Sequence, residues 1–258
     1  MIGSITRGSV LTILFAGVIS LGVFFPLKSV YAHTFSGGES AAFLALVKIL
    51  QADLNLVQSN IGSNATLAQA HANAVAEHLD ANTTEQLAER NKRITNDLTN
   101  SIADLNQTVS TKPIPTQDII KGKVDKIDSL LQEAITVRVE KNQLTNSTVK
   151  GQAIADVVDE ALERYREAYG IEEGGKSAAE HNTIVNMADY QSAQAIAAKA
   201  QEMFNEAKQL TSASAAITKV GNDLAQFKND IDMKTAYDKV SAYMENTLDP
   251  DIKAAFKS

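Results

Sequence analysis

Apolar residues separated by alternating threes and fours recur along most of this chain, a spacing that places them on one face of a 3.6-residue helical turn. Phe43, Val47, Leu50, Leu54, Val57 and Ile61 form the first such stripe. Leu67, Ala74, Val75 and Leu79 form a second, entered from the turn-like Gly62-Ser63-Asn64. The third predicted helix begins at Asn82, which with Glu85 three residues on suits a capping box, and runs through Leu87, Ile94, Leu98, Ile102 and Leu105. It is the most polar of the set.

Two prolines one residue apart, Pro113 and Pro115, break the pattern. Neither can continue a helix, so residues 110–116 read as a linker between an N-terminal helical subdomain, 33–109, and a C-terminal helical bundle, 117–258. Beyond the linker, Ile120, Val124, Ile127, Leu131 and Ala134 predict one long helix. Ile154, Val158, Ala161, Tyr165 and Ala168 predict another after a polar turn at 142–147, and the two are expected to be antiparallel neighbours. A polar loop from Gly170 to Asn182 leads to a stripe of Tyr190, Ala193, Ala197, Ala200, Phe204 and Ala207, with Asn182 placed to cap that helix. Ile217, Val220, Leu224, Phe227 and Ile231 follow in heptad spacing. A short amphipathic piece from Tyr237 to Leu248 then gives way to Pro250 and a weak tail. With no alternating polar and apolar run, the expected fold class is all-α: antiparallel helical bundles of about six to eight helices and no β-sheet.

The first 32 residues do not belong to this scheme. Arg7, an apolar run from Val10 to Phe25, and the small residues Val30 and Ala32 before His33 have the order of an export signal with its cleavage site. Uncleaved, the same run would be a membrane anchor near the lower length limit, and the only membrane contact expected of the chain. Either reading places the rest outside the cytoplasm, secreted or attached to the outer face of the cell membrane. Four tripeptides that fit the N-glycosylation pattern agree with that address: they begin at Asn64, Asn82, Asn106 and Asn146.

Composition narrows the chemistry. The formal net charge is −7, and loss of Arg7 and Lys28 with the leader takes it to −9. Such a surface argues against nucleic acid, whose binding rests on basic residues neutralising phosphates, and leaves cations and proteins as partners. Cysteine is absent, so disulfides and thiolate chemistry are excluded.

Two motifs look sharper than they are. Gly170-Ile171-Glu172-Glu173-Gly174-Gly175-Lys176-Ser177 satisfies G-x-x-x-x-G-K-[ST], but a phosphate loop follows a β-strand and this one follows a helical stripe. No nucleotide is expected there. Asp156, Asp159, Glu160 and Glu163 share one side of a helix as di-iron carboxylates do, yet no Glu precedes a His by three. A solvated acidic face with Glu160–Arg164 and Glu163–Arg166 pairs is the expectation.

The four histidines remain. His71 and His78 lie two turns apart, about 10.5 Å along one helix, with room for a third ligand between them. His33, as a mature N-terminus, would offer its α-amino and imidazole nitrogens to one ion, an all-nitrogen set suited to Cu(II). His33, His71 and His78 are therefore the candidate metal ligands and copper the candidate cofactor. The competing reading packs His71 and His78 at a helix interface, and His181 reads as a surface residue.

His33-Thr34-Phe35-Ser36, residues 39–47, Leu67-Ala68-Gln69-Ala70-His71-Ala72, Glu77-His78-Leu79-Asp80 and residues 156–165 resemble a family of exported helical proteins from ammonia-oxidising archaea. The likeness runs from His33 to about Leu210. It implies an archaeal cell envelope rich in copper enzymes, including a membrane ammonia monooxygenase. Relatives carry histidines near the C-terminus where this chain reads Tyr243-Met244-Glu245-Asn246-Thr247-Leu248. The resulting expectation is an envelope binding or accessory protein that is not an enzyme and that binds copper. The alternative is a metal-free interaction module, such as an extracellular subunit of a membrane complex.

Overall fold

The computed structural model describes residues 37–172 and 183–257. They are 84% helical, without a strand among them. Helix α1 (Gly37–Asn60) carries the first stripe, and Phe43, Val47, Leu50, Leu54 and Val57 are all buried. Its span from Gly38 to Asn60 is long and apolar enough to cross a bilayer, but 67% of that window is covered by the rest of the protein. Helix α2 (Ala65–His78) starts where expected, because Asn64 Oδ1 accepts from Leu67 N at 3.1 Å and satisfies one of the free first-turn amides.

Helix α3 (Ala81–Val109) departs from expectation twice. Its cap is Asp80, whose carboxylate accepts from Thr83 N at 2.7 Å, rather than Asn82 paired with Glu85. It also bends at Asn91, where φ −156° and ψ 94° interrupt the helix and the side chain re-caps the second half through Ile94 N at 3.2 Å. An Asn inside a helix competes for its own backbone, which explains the break.

Helices α4 (Gln117–Arg138), α5 (Lys141–Leu144, a single turn) and α6 (Ser147–Ala168) follow. The expected pairing of the two long helices is not found: α4 lies against α3 and α1, while α6 packs on α7 (Met187–Ala207), α1 and the C-terminal helix α10 (Asp249–Phe256). The hydrophobic core is correspondingly continuous across residues 110–116 and draws on both sides of that link. Asn186, not Asn182, caps α7 by accepting from Ala188 N at 3.1 Å. A 3-10 turn, Lys208–Leu210, ends that helix.

Helix α8 (Ala215–Asp232) buries its heptad positions Ile217, Val220, Leu224, Phe227 and Ile231. The C-terminal region corrects the weak-tail expectation. Helix α9 (Tyr237–Tyr243) passes through a π-helical turn, Met244–Leu248, into α10 (Asp249–Phe256), so the chain stays helical across Pro250. Phe256 is 2% exposed, and its ring meets Phe204 edge to face at 6.4 Å. Gly151 permits this approach, since a Cβ there would stand 2.3 Å from Phe256 Cβ.

The end of α6 also disposes of the phosphate-loop match. Gly170 has φ +66°, its N–H bonds Glu167 O at 2.9 Å, and Ile171 N–H bonds Arg166 O at 3.2 Å. That is a Schellman helix stop. The first glycine of the motif closes a helix from its C-terminal side, where carbonyls rather than amides face outward. Residues 173–177 lie outside the described residues.

Candidate functional site

Four helices meet around one carboxylate. Asp53 lies on the apolar face of α1 in register with Leu46, Leu50 and Val57, and it is 0% exposed. A charge removed from water must find partners in the protein. Oδ1 accepts from Ser192 Oγ of α7 at 2.6 Å and faces His71 Nδ1 of α2 at 3.1 Å. Oδ2 has no hydrogen-bond partner among the described residues, and His78 Nε2 stands 3.9 Å from it.

His71 is a core residue, 1% exposed. Its Nε2 lies 3.0 Å from Gln191 Oε1, and the orientation of that amide follows from its neighbours. Asn60 Nδ2 donates to Leu56 O at 2.9 Å, so the same nitrogen donates to Gln191 at 3.0 Å, which identifies the Gln191 atom there as oxygen. Both ring nitrogens of His71 therefore face oxygen atoms.

His78, at the outer end of α2, is held differently. Arg164 Nη2 lies 2.9 Å from His78 Nε2, and because a guanidinium only donates, this nitrogen accepts and the ring is neutral with its proton on Nδ1. Burial keeps His78 below the ordinary imidazole range. Glu160 and Asp53 act against that, and Arg164 reinforces it. Arg164 itself bonds Glu160 Oε1 through Nε at 2.9 Å, Glu167 at 3.1 Å and Asp189 at 3.4 Å. Burial opposes its charge, but Glu160, Glu167, Asp53 and Asp189 outweigh burial and hold it firmly cationic. Burial pushes the carboxyls of Glu167 and Asp189 upward, with Arg164 opposing in each case. The outer side of this network borders a surface cleft lined by Glu77, Arg164, Arg166, Glu167 and Asp189.

The sequence-based candidates thus part company. His71 and His78 do share one face of α2, and a residue does reach in between them, but it is Asp53 from α1, with Arg164 beside His78. His33 and His181 lie outside the described residues. Among the described residues no group of three or more imidazole and carboxylate side chains is placed to hold a metal ion. The Ser192, His71 and Asp53 trio is not wired as a hydrolytic triad: Ser192 and Asp53 address the same ring nitrogen, and the serine donates its proton to Asp53.

The Glu160–Arg164 and Glu163–Arg166 pairs form as expected, the latter at 2.9 Å. The expectation of a solvated acidic face fails at its inner edge. Burial pushes Asp156 up to about 7, with Asp159 adding repulsion. Its folded pKa then exceeds the ordinary Asp value of about 3.9, so the folded state binds more protons between pH 4 and 7, and stability falls as pH rises through that window. Asp156→Asn is expected to match the parent at pH 4 and exceed it at pH 8 by about 1–3 kcal/mol. Thermal unfolding across that range tests this, and identical pH profiles for both proteins would refute it.

Sequence reasoning missed Asp53, Arg164, Gln191 and Ser192 as partners of the histidines. Asp53 was detectable as the one carboxylate on an otherwise apolar stripe. Comparison of the chain with family models, with curated proteins and with solved structures gave no match.

Proposed function

We propose that this chain is an exported, non-enzymatic interaction module of the cell envelope, an accessory subunit that binds another envelope protein through its helix faces. The observation that carries the reading is the state of the histidines. Both ring nitrogens of His71 are engaged inside the core, and Nε2 of His78 is occupied by Arg164. Their role is to pack around a buried carboxylate and tie α2 to α1, α6 and α7. The acidic balance, −9 without residues 1–32, favours a partner with a basic face. Isolation of the native protein from the membrane fraction in mild detergent should give co-migration with membrane subunits and no bound copper. A free monomer carrying stoichiometric copper would overturn the proposal.

One observation favours copper as a second reading: the unpartnered Asp53 Oδ2 faces His78 across 3.9 Å, and His33 could supply two nitrogens from outside the described residues. Titration with Cu(II) separates the two. The interaction reading expects equal, weak binding by protein beginning at His33, by protein with one extra residue before it, and by His78→Gln. Copper chemistry at these residues requires the last two to lose affinity at least tenfold.

A further inference from the structure

Among the glycosylation tripeptides whose Asn side chain is described, the fold leaves one open for reaction. The pattern specifies two groups: an Asn whose carboxamide nitrogen receives the glycan, and a hydroxyl two residues on that the transferring enzyme must read. Both have to be accessible at once in the folded chain. At Asn106 both groups are already engaged. The residue sits inside α3, its Oδ1 accepts from Gln69 Nε2, its Nδ2 is directed at Ala72 O at 3.4 Å, and Thr108 Oγ1 donates to Asp104 O at 2.6 Å. Asn82 lies in the first turn of α3, where Thr84 Oγ1 is taken by Asp80 O at 3.0 Å and Ala81 O at 2.8 Å. Asn146 is exposed, but the half-buried Thr148 donates its hydroxyl to Phe256 O at 3.1 Å, which ties that tripeptide to the C-terminal helix.

Asn64-Ala65-Thr66 differs on each count. Asn64 and Thr66 are both exposed, Asn64 as the N-cap of α2 and Thr66 in its first turn. Asn64 uses only its oxygen, as the acceptor for Leu67 N, which fixes the side chain without consuming the nitrogen. We infer that Asn64 is the N-glycosylation site of the folded protein, an inference that rests on the reading of the chain as exported. In the reaction, Asn64 Nδ2 attacks the anomeric carbon of a lipid-diphosphate-linked oligosaccharide. The new N–C bond replaces the sugar–phosphate C–O bond, the lipid diphosphate leaves with the bonding pair, and the Nδ2 proton passes to the transferase.

The test uses folded, leader-free protein incubated with an oligosaccharyltransferase and a lipid-diphosphate-linked oligosaccharide, followed by glycopeptide mapping. Modification at Asn64 is expected, with Asn106 and Asn146 bare until the protein is denatured. Asn64→Asp keeps the helix cap and removes the nitrogen, and Thr66→Val removes the hydroxyl. Each should abolish the mass increment, whereas Asn146→Asp should leave it unchanged. A bare Asn64, or modification of Asn106 or Asn146 in folded protein, overturns the inference. Mapping of native protein distinguishes the two levels. Protein cut at Ala32 but bare at Asn64 overturns the assignment alone, and protein found inside the cell with residues 1–32 attached overturns the export reading and the assignment with it.

Discussion

Replacement of Arg164 by methionine is expected to lower the unfolding free energy by about 3–5 kcal/mol, the range for removing one member of a buried ion network. Methionine retains the apolar stem, so the loss measures charge rather than packing. Without the guanidinium, Glu160, Glu167, Asp189 and Asp53 lose the cation that they share. The defect should be smaller at pH 5 than at pH 8, because burial already raises Glu167 and Asp189 and protonation relieves the repulsion. Arg93→Met is the control. Its partners Asp97 and Glu133 are both exposed, and such pairs contribute at most about 1 kcal/mol each. Urea unfolding of both variants provides the comparison. Equal losses for the two would mean that the network is not a unit.

The second large effect lies at the other end of the chain. Phe256→Ala is expected to cost about 3–5 kcal/mol, as for a phenyl ring deleted from a packed core. The ring fills the space that Gly151 leaves on α6 and meets Phe204 of α7, and with the buried Ile252 it holds α10 on the core. The loss should appear as a lower urea midpoint, with α10 amides losing hydrogen-exchange protection before those of α1. A variant with parental stability would show that α10 is dispensable to the fold.

How far the sequence could be read depends on the range of the interaction concerned. The stripes at Phe43–Ile61, Ile120–Ala134, Ile154–Ala168 and Ile217–Ile231 became buried helix faces because i, i+3 and i+4 neighbours are fixed by helix geometry alone. Caps were less legible. Asp80 and Asn82 are both competent N-caps by residue type, and the fold uses the first. The kink at Asn91 and the passage through Pro250 escaped for the same reason, since a local breaker can be overridden or used once tertiary contacts are made. At the site, His71 and His78 were identifiable as a pair on one face, but nothing local says what opposes them. That depended on Asp53 from α1 and Arg164 from α6, 18 and 86 residues away in sequence from the histidines that they meet.

The sequence by itself therefore determined the class of fold, the helices and their buried faces, the absence of thiol chemistry, and the tripeptides that glycosylation could use, all properties of composition or of residues within a few positions of one another. Tertiary structure alone decided which helices are neighbours, that α6 lies against α7 and α1 rather than α4, and that the C-terminus is locked by Phe256. It also decided which polar groups are already spent. A histidine's nitrogens or a threonine's hydroxyl look equally available in any sequence, and whether another group has claimed them depends on what distant segments bring within 3 Å. For His71, His78 and Thr148 the claim is made, and for Asn64 and Thr66 the described contacts leave the amide nitrogen and the hydroxyl open.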